Sequence, residues 1–428
     1  MKQAVVLILL SFTLFTGCKK KPAPPSQAPN QGATKAAAPA SPPPPQGPEP
    51  SLVSFSAGAV IVQTPQEYGG DWTAFKMLDE NPHTGWASAK GAVTNQVTVI
   101  ELPERTLLKR LEFDTGSVDG GQRSAKDIDV EMSDTGPSDG FQQIASVTLV
   151  NRTDRQPFPV SADVPGRWVR LTAKDNFGAP DYIEITDFRG YGTQLTHTPL
   201  ADVSGTYNTN SGAMHLLQQG TSVTGCYEHS GGLVTGGIEG HIVKLTWSQD
   251  DGKSRGPAVM VFSADGQNLY GLWWHEGHEN EAGGLWSGPK KSATAGSCPN
   301  WKTVGIQQQI GDELEKFGRS RIYGINFDSN SDQIKDESKP TLDKIAELLK
   351  AKPDWKLTIE GHTDSTTHAD YDQKLSERRA IAVGAYLVVA GIESSRLTPV
   401  GYGASRPVST NETGLGRTQN RRIELTKN

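Results

Sequence analysis

The sequence predicts a multidomain chain in which two all-β units precede a C-terminal α/β domain. Three observations predict it. Residues 51–194 hold short runs that alternate apolar and polar residues, separated by Gly, Pro, Asp and Asn, which is the pattern of a β-sandwich. Residues 200–298 hold further strand-like runs joined by tight Gly-containing turns, which fits a small antiparallel barrel-like meander. The last hundred residues mix helical and strand periods, which fits a two-layer α/β sandwich.

The chain has 428 residues, enough for two to four domains, and a net charge of -6. Lysines and arginines are dispersed rather than striped, so nucleic acid is not an expected partner. Residues 1–18 read as a targeting segment: Lys2 is the positive start, an apolar run follows, and Leu14-Phe15-Thr16-Gly17-Cys18 closes it. That ending resembles a bacterial lipobox, and the resemblance implies that Cys18 becomes a lipid-bearing N-terminus anchored in a membrane. Ordinary secretory cleavage nearby is the alternative. Residues 19–50 are rich in Pro and Ala and lack other hydrophobic residues, so they are expected to form a disordered linker. At about 3.1 Å per residue they reach roughly 100 Å when fully extended. Elsewhere no run is long and apolar enough for a membrane-spanning helix.

In the first β unit the runs are QVTVIEL, LKRLEFDT, KDIDVEMS, QQIASVTLV, RWVRLTAK and YIEITDFRGYG. DENPHTGWAS, GRWVRLTA and IEITDFRGYG, in that order, resemble the discoidin family, also called the coagulation-factor type C domain. The resemblance implies a jelly-roll sandwich whose end loops often bind sugars, so a glycan is a candidate ligand. It also places Asp79, Thr84 and Glu184 near the calcium site of that fold, where oxygen ligands suit a structural Ca2+. The loop's own turn hydrogen bonds are the alternative role. Trp72, Trp86 and Phe177 are candidates for a sugar platform, with core packing the expected role of Trp86.

The second β unit includes VFSADGQNLYGLWW, an Asp-Gly turn between apolar runs and hence a hairpin. With Cys18 assigned to lipid, Cys226 and Cys298 remain as an even pair outside the cytoplasm. They are expected to form a disulfide, with two separate buried thiols as the alternative. His275-Glu276-Gly277-His278-Glu279 is one residue short of the H-E-x-x-H spacing that aligns two histidines on a helix. These residues are therefore expected to be solvated loop.

In the last unit SKPTLDKIAELLKAK places Leu342, Ile345, Leu348 and Leu349 at helical spacing. KLTIEGHTD reads as a strand, LSERRAIAVGAYLVVAGI as a helix and RLTPVGY as a strand. Asp364 at a strand end and Arg379 one turn into the next helix can face one pocket and suit a zwitterion, the acid taking an ammonium and the guanidinium a carboxylate. A structural ion pair between the two is the alternative. Gly361-His362-Thr363-Asp364, Leu375-Ser376 with Arg379-Ala380, Gly401-Tyr402-Gly403 and Asn420-Arg421-Arg422 resemble the OmpA-like C-terminal domain family. The resemblance implies non-covalent binding of peptidoglycan through the diaminopimelate of its stem peptide. On this chain it places the ammonium-binding acid at Asp364 and the carboxylate-binding arginine at Arg379, with Thr363, Asp372, Leu375 and Arg421 around them. Thr367 and Asp372 depart from the family's usual Gly and Asn, and the charge of Asp372 would repel a ligand carboxylate.

The sequence thus predicts an outer-membrane lipoprotein whose C-terminal domain, residues 305–428, grips peptidoglycan. Its folded domains are expected in the periplasm. The alternative is an envelope carbohydrate-binding adhesin or receptor acting through the discoidin-like unit. No enzyme is expected, since no catalytic triad, nucleotide loop or carboxylate pair stands in a recognisable context.

Overall fold

Nineteen residues, Gln96–Asp114, form one strand that belongs to both halves of the first domain. The structure is a computed structural model and describes residues 49–428, except 71, 119, 120, 300, 302–304 and 329. Cys18, the expected lipidation site, and the expected linker up to residue 48 lie outside the described residues.

The sandwich holds β1 (Val60–Gln63), β2 (Trp86–Ala87), β3 (Gln96–Asp114), β4 (Asp127–Ser133), β5 (Gln142–Thr148), β6 (Gln156–Pro159), β7 (Gly166–Ala173), β8 (Glu184–Ile185) and β9 (Asp187–Gln194). The first half of β3 pairs with β1 and β7, and its second half with β6 and β9. The register on β7 breaks between Glu101 and Thr106, around Pro103, and there the strand turns the corner of the sandwich. QVTVIEL and LKRLEFDT, expected as two strands, are therefore one bent strand. Phe55, Phe113 and Phe188 fill the core, with Trp86 at 1 % exposure among them.

The second domain is a closed eight-stranded antiparallel barrel. Its strands are β10 (Gly205–Thr209), β11 (Gly212–Gln219), β12 (Ser222–Tyr227), β13 (Gly232–Glu239), β14 (Ile242–Gln249), β15 (Ser254–Phe262), β16 (Asn268–Trp273) and β17 (Gly284–Ser292). Met214, Leu216, Val243, Leu245 and Met260 pack in one cluster, while Ile242, Val259, Val261 and Leu272 join the core of the sandwich. Alternate residues on β14 and β15 thus serve two cores, and in β15 the run from Ala258 to Phe262 is apolar throughout. Cys226 and Cys298 form a disulfide that ties β12 to the segment after β17.

The third domain comprises α1 (Ile306–Phe317), β18 (Arg319–Ile322), α2 (Lys339–Ala351), β19 (Leu357–His362), α3 (Ala369–Val389), β20 (Leu397–Gly401), α4 (Gly414–Asn420) and β21 (Arg422–Lys427). The sheet order is β18-β21-β19-β20, with β19 and β20 parallel and the other pairs antiparallel. Leu342, Ile345 and Leu349 of α2 are fully buried against it. Helix α1 was not anticipated, although Ile306, Ile310 and Leu314 recur at a helical interval and are buried.

The three domains share one compact unit. His241 of the β13–β14 turn lies 2.9 Å from Glu104 of the sandwich. Asn326 donates to the Ile238 carbonyl across 2.9 Å, and Thr221 to the Glu337 carbonyl across 3.0 Å. Gly237 has no room for a side chain, since a Cβ there would stand 2.5 Å from the backbone of Gly324. Glu276 and Glu279, expected to be solvated, instead hold the barrel against β18. Glu276 binds Arg319 at 2.6 Å and also pairs with Arg255, and Glu279 lies 3.3 Å from Arg321. His275 and His278 remain exposed. Among the described residues no helix is long and apolar enough to cross a membrane.

Candidate functional site

Strand β19 ends at His362, and the two following residues turn inward. Thr363 donates its backbone N–H to the Gly403 carbonyl at 3.0 Å. This pins the strand end and sets Asp364, 7 % exposed, at the wall of a cavity of about 850 Å3. One carboxylate oxygen accepts from Thr366, with the hydroxyl at 2.6 Å and the N–H at 3.1 Å. The other accepts from Arg421 at 2.8 Å. Burial works to raise the Asp364 pKa, but the Arg421 guanidinium and the Thr366 bonds outweigh it and hold the group below its ordinary value. The acid is therefore charged at neutral pH.

Thr363, Asp372, Leu375 and Arg421 line the same cavity. Asp372 accepts from the Thr367 hydroxyl. Burial first, and the nearby Asp364 charge second among the raising effects, push its pKa up. The cavity is not made by one domain. Glu80, Arg155, Arg189 and Tyr191 of the sandwich also line it.

Arg379 stands elsewhere. It lines a neighbouring cavity of about 450 Å3, and Arg421 lines both. The Arg379 Nε donates to the Ser331 carbonyl at 2.9 Å, and its guanidinium lies 4.8 Å from the centre of the Phe327 ring. Its two terminal nitrogens have no hydrogen-bond partner among the described residues. Asp364 and Arg379 thus line two adjacent cavities that meet at Arg421. Arg421 caps the end of α4 just before β21 begins, and its side chain lies between Asp364 and Glu239 of the barrel, 3.8 Å away from the latter. Arg421 was placed in the site by its motif, but its contact with Asp364 was not foreseen. The sandwich residues carried no local signal at all.

The candidate ion ligands of the sandwich make hydrogen bonds and an ion pair of their own. Asp79 accepts from Thr84 Oγ1 at 2.7 Å and from the Asn81 N–H at 2.9 Å. Glu184 lies 3.7 Å from Arg123. Burial pushes the Asp79 carboxyl up to about 7 against these bonds. Among the described residues no three His, Cys, Asp or Glu side chains gather as a metal site. Of the platform candidates, Trp86 is in the core, while Trp72 and Phe177 are partly exposed.

Residues 326–421 match the OmpA family model. Over 122 residues the chain is 41 % identical to the peptidoglycan-associated lipoprotein of Pseudomonas aeruginosa, covering 28 % of this chain and 70 % of that protein. The chain belongs to the OmpA family. Its OmpA domain is also 46 % identical over 101 residues to outer membrane porin F of Pseudomonas aeruginosa. That match covers 23 % of this chain and 29 % of the porin, so the chain spans under a third of that relative's length. The chain is also similar to the solved structure of CBM32-3 from a family 31 glycoside hydrolase of Clostridium perfringens. The TM-score is 0.29 at 15 % identity, covering 33 % of this chain and 96 % of that one.

Proposed function

We propose that this protein is a lipid-anchored outer-membrane lipoprotein that holds peptidoglycan non-covalently through its OmpA domain and so tethers the membrane to the wall. The single observation that carries the reading is the buried, charged Asp364 at the wall of an open cavity. An ammonium entering that cavity meets a carboxylate already desolvated and held by fixed donors, where a charge-assisted bond is strong. The free terminal nitrogens of Arg379 supply a planar fork for a carboxylate. Together they suit the diaminopimelate centre of a stem peptide, with Asp364 taking its ammonium and Arg379 its carboxylate. The similarity to a peptidoglycan-associated lipoprotein supports the wall as the partner. Cys18 carries the lipid in this reading.

The test is retention of the full chain on peptidoglycan sacculi, followed by titration with diaminopimelate-type and lysine-type stem peptides. Lysine-type peptides lack the second carboxylate and leave Arg379 unpaired, so they bind roughly ten- to a hundredfold more weakly. Asp364→Ala and Arg379→Ala that both bind like the parent would overturn the site assignment. Fatty-acid label persisting in Cys18→Ser would overturn the anchor.

A further inference from the structure

One end of the barrel docks on both neighbours, and the other holds a cavity beside further contacts with the OmpA domain through Glu276 and Asp251. The β11–β12 and β13–β14 turns dock through Thr221 and His241 on the other two domains. At the opposite end, where β12, β14 and β16 finish and β17 begins, a cavity of about 370 Å3 opens. That size falls within the range of about 300–1,000 Å3 typical of small-molecule sites.

Its lining is mostly aromatic. Tyr227, Trp247, Trp273 and Trp286 meet there with His275, ring centroids lying 5.3 to 6.0 Å apart around the group. The rings are held in place from behind. Trp247 Nε1 donates to the Trp274 carbonyl at 2.9 Å. Trp273 lies on the backbone of Gly283 and Gly284, where a Cβ would come within 2.3 and 2.8 Å of the ring. Tyr227 lies on Gly232 in the same way, at 2.0 Å. Around the aromatic floor stand Gln249, Ser211 and His229. Tyr227 donates its hydroxyl to the Gln249 amide oxygen at 3.1 Å, and the amide nitrogen has no partner among the described residues.

Among the described residues no Asp, Glu, Lys or Arg lines this cavity. A charged ligand would be desolvated there without an opposite charge, which is costly. A sugar ring fits both parts of the lining. Its C–H face packs on indole, and its hydroxyls take the amide nitrogen of Gln249, the Ser211 hydroxyl and the histidine ring nitrogens.

We propose that the cavity at this end of the barrel is a binding site for a neutral sugar ring, seated on Trp273 and hydrogen-bonded by Gln249. The site is independent of the wall-peptide cavity and of the loops of the sandwich. Intrinsic tryptophan fluorescence of the full chain, titrated with glucose, galactose, N-acetylglucosamine and tetramethylammonium, tests it. A saturable response to at least one sugar is expected. Trp273→Ala weakens it by roughly tenfold or more and Gln249→Ala by severalfold, with both variants melting near the parent temperature. No saturable response to any of the three sugars overturns the proposal, as does saturation by tetramethylammonium alone, which would mark a cage for a quaternary ammonium. Sugar affinity unchanged in a folded Trp273→Ala also overturns it and moves the binding to another domain. Should Trp273→Ala fail to fold, unchanged affinity in Gln249→Ala has the same consequence.

Discussion

Arg421 donates to Asp364 across 2.8 Å, and the same guanidinium lies 3.8 Å from Glu239 of the barrel. A residue of the candidate wall site is therefore also a joint between two domains. Glu239 in turn accepts from the buried Lys244 at 2.8 Å, and Lys244 donates to the Arg421 carbonyl at 2.7 Å. The acid that would meet an ammonium is thus held by a network that reaches into the barrel.

Arg421→Ala is expected to act in two ways. Asp364 loses the charge that counters its burial, so its pKa rises. The chain should also lose about 1–2 kcal/mol of stability, a modest figure because the Arg421 side chain is partly exposed. Asp364→Ala removes ligand affinity with a smaller loss of stability. Chemical unfolding of both variants beside peptide titration separates the effects. Equal stability of Arg421→Ala and the parent would show that the joint contributes nothing.

His362 gives the OmpA domain an acid limit. It is 3 % exposed and stacks on Tyr402, with ring centroids 5.5 Å apart. Burial first, then the charges of Arg422, Arg406 and Arg321, push its pKa from 6.5 down to about 3. The folded state keeps the ring neutral while the unfolded chain protonates near 6.5. Its contribution is therefore present above that pH and is lost as pH falls through the window towards 3, by up to about 1.4 kcal/mol per pH unit. His362→Phe keeps the stack and should flatten this limb of a melting-temperature profile. An unchanged acid slope in the variant would assign the effect to other groups.

Asp79 works in the opposite direction. Its folded pKa, raised to about 7 by burial, means that its contribution is full below its unfolded value and is lost as pH rises through 7. Asp79→Asn should therefore reduce the loss of sandwich stability between pH 5 and 8. Calcium titration at pH 8 tests the candidate ion site with the same pair of proteins. A calcium-dependent rise in melting temperature that survives in Asp79→Asn would exclude Asp79 as a ligand.

The disulfide should be essential to the barrel. Cys226 is fully buried, and Cys298 closes the end of the unit against it. Protein isolated from the envelope should show no free thiol when denatured without reductant. Cys226→Ala with Cys298→Ala should cost about 2–4 kcal/mol. Two titratable thiols in the isolated parent would count against the bridge.

Gly237→Val should part the barrel from the OmpA domain, because no rotamer avoids the backbone of Gly324. Limited proteolysis should then cleave the chain faster than it cleaves the parent. Identical digestion patterns would show that the interface tolerates the side chain.

Local pattern carried much of this protein. Helical spacing placed α2, and the strand and helix around Asp364 followed from KLTIEGHTD and LSERRAIAV. The Gly-punctuated runs of 200–298 announced a meander, because tight turns and alternation are decided by neighbours in sequence.

What the sequence by itself determined is the kind of element at each position and which charged residues stand at the end of β19 and on α3. Those depend on φ/ψ preference and periodicity, which act over a few residues. The tertiary structure decided which cation reaches Asp364. Asp364 and Arg379 are near in sequence, but α3 turns Arg379 towards Phe327 and Ser331, while Arg421 arrives from 57 residues away. It also decided that the cavity has a sandwich wall, with Arg189 and Tyr191, and that Glu276 and Glu279 are interface acids rather than solvated loop. A charge pair is fixed by where two backbones are held. That position is set by burial of apolar surface across domains, which no short stretch of sequence contains.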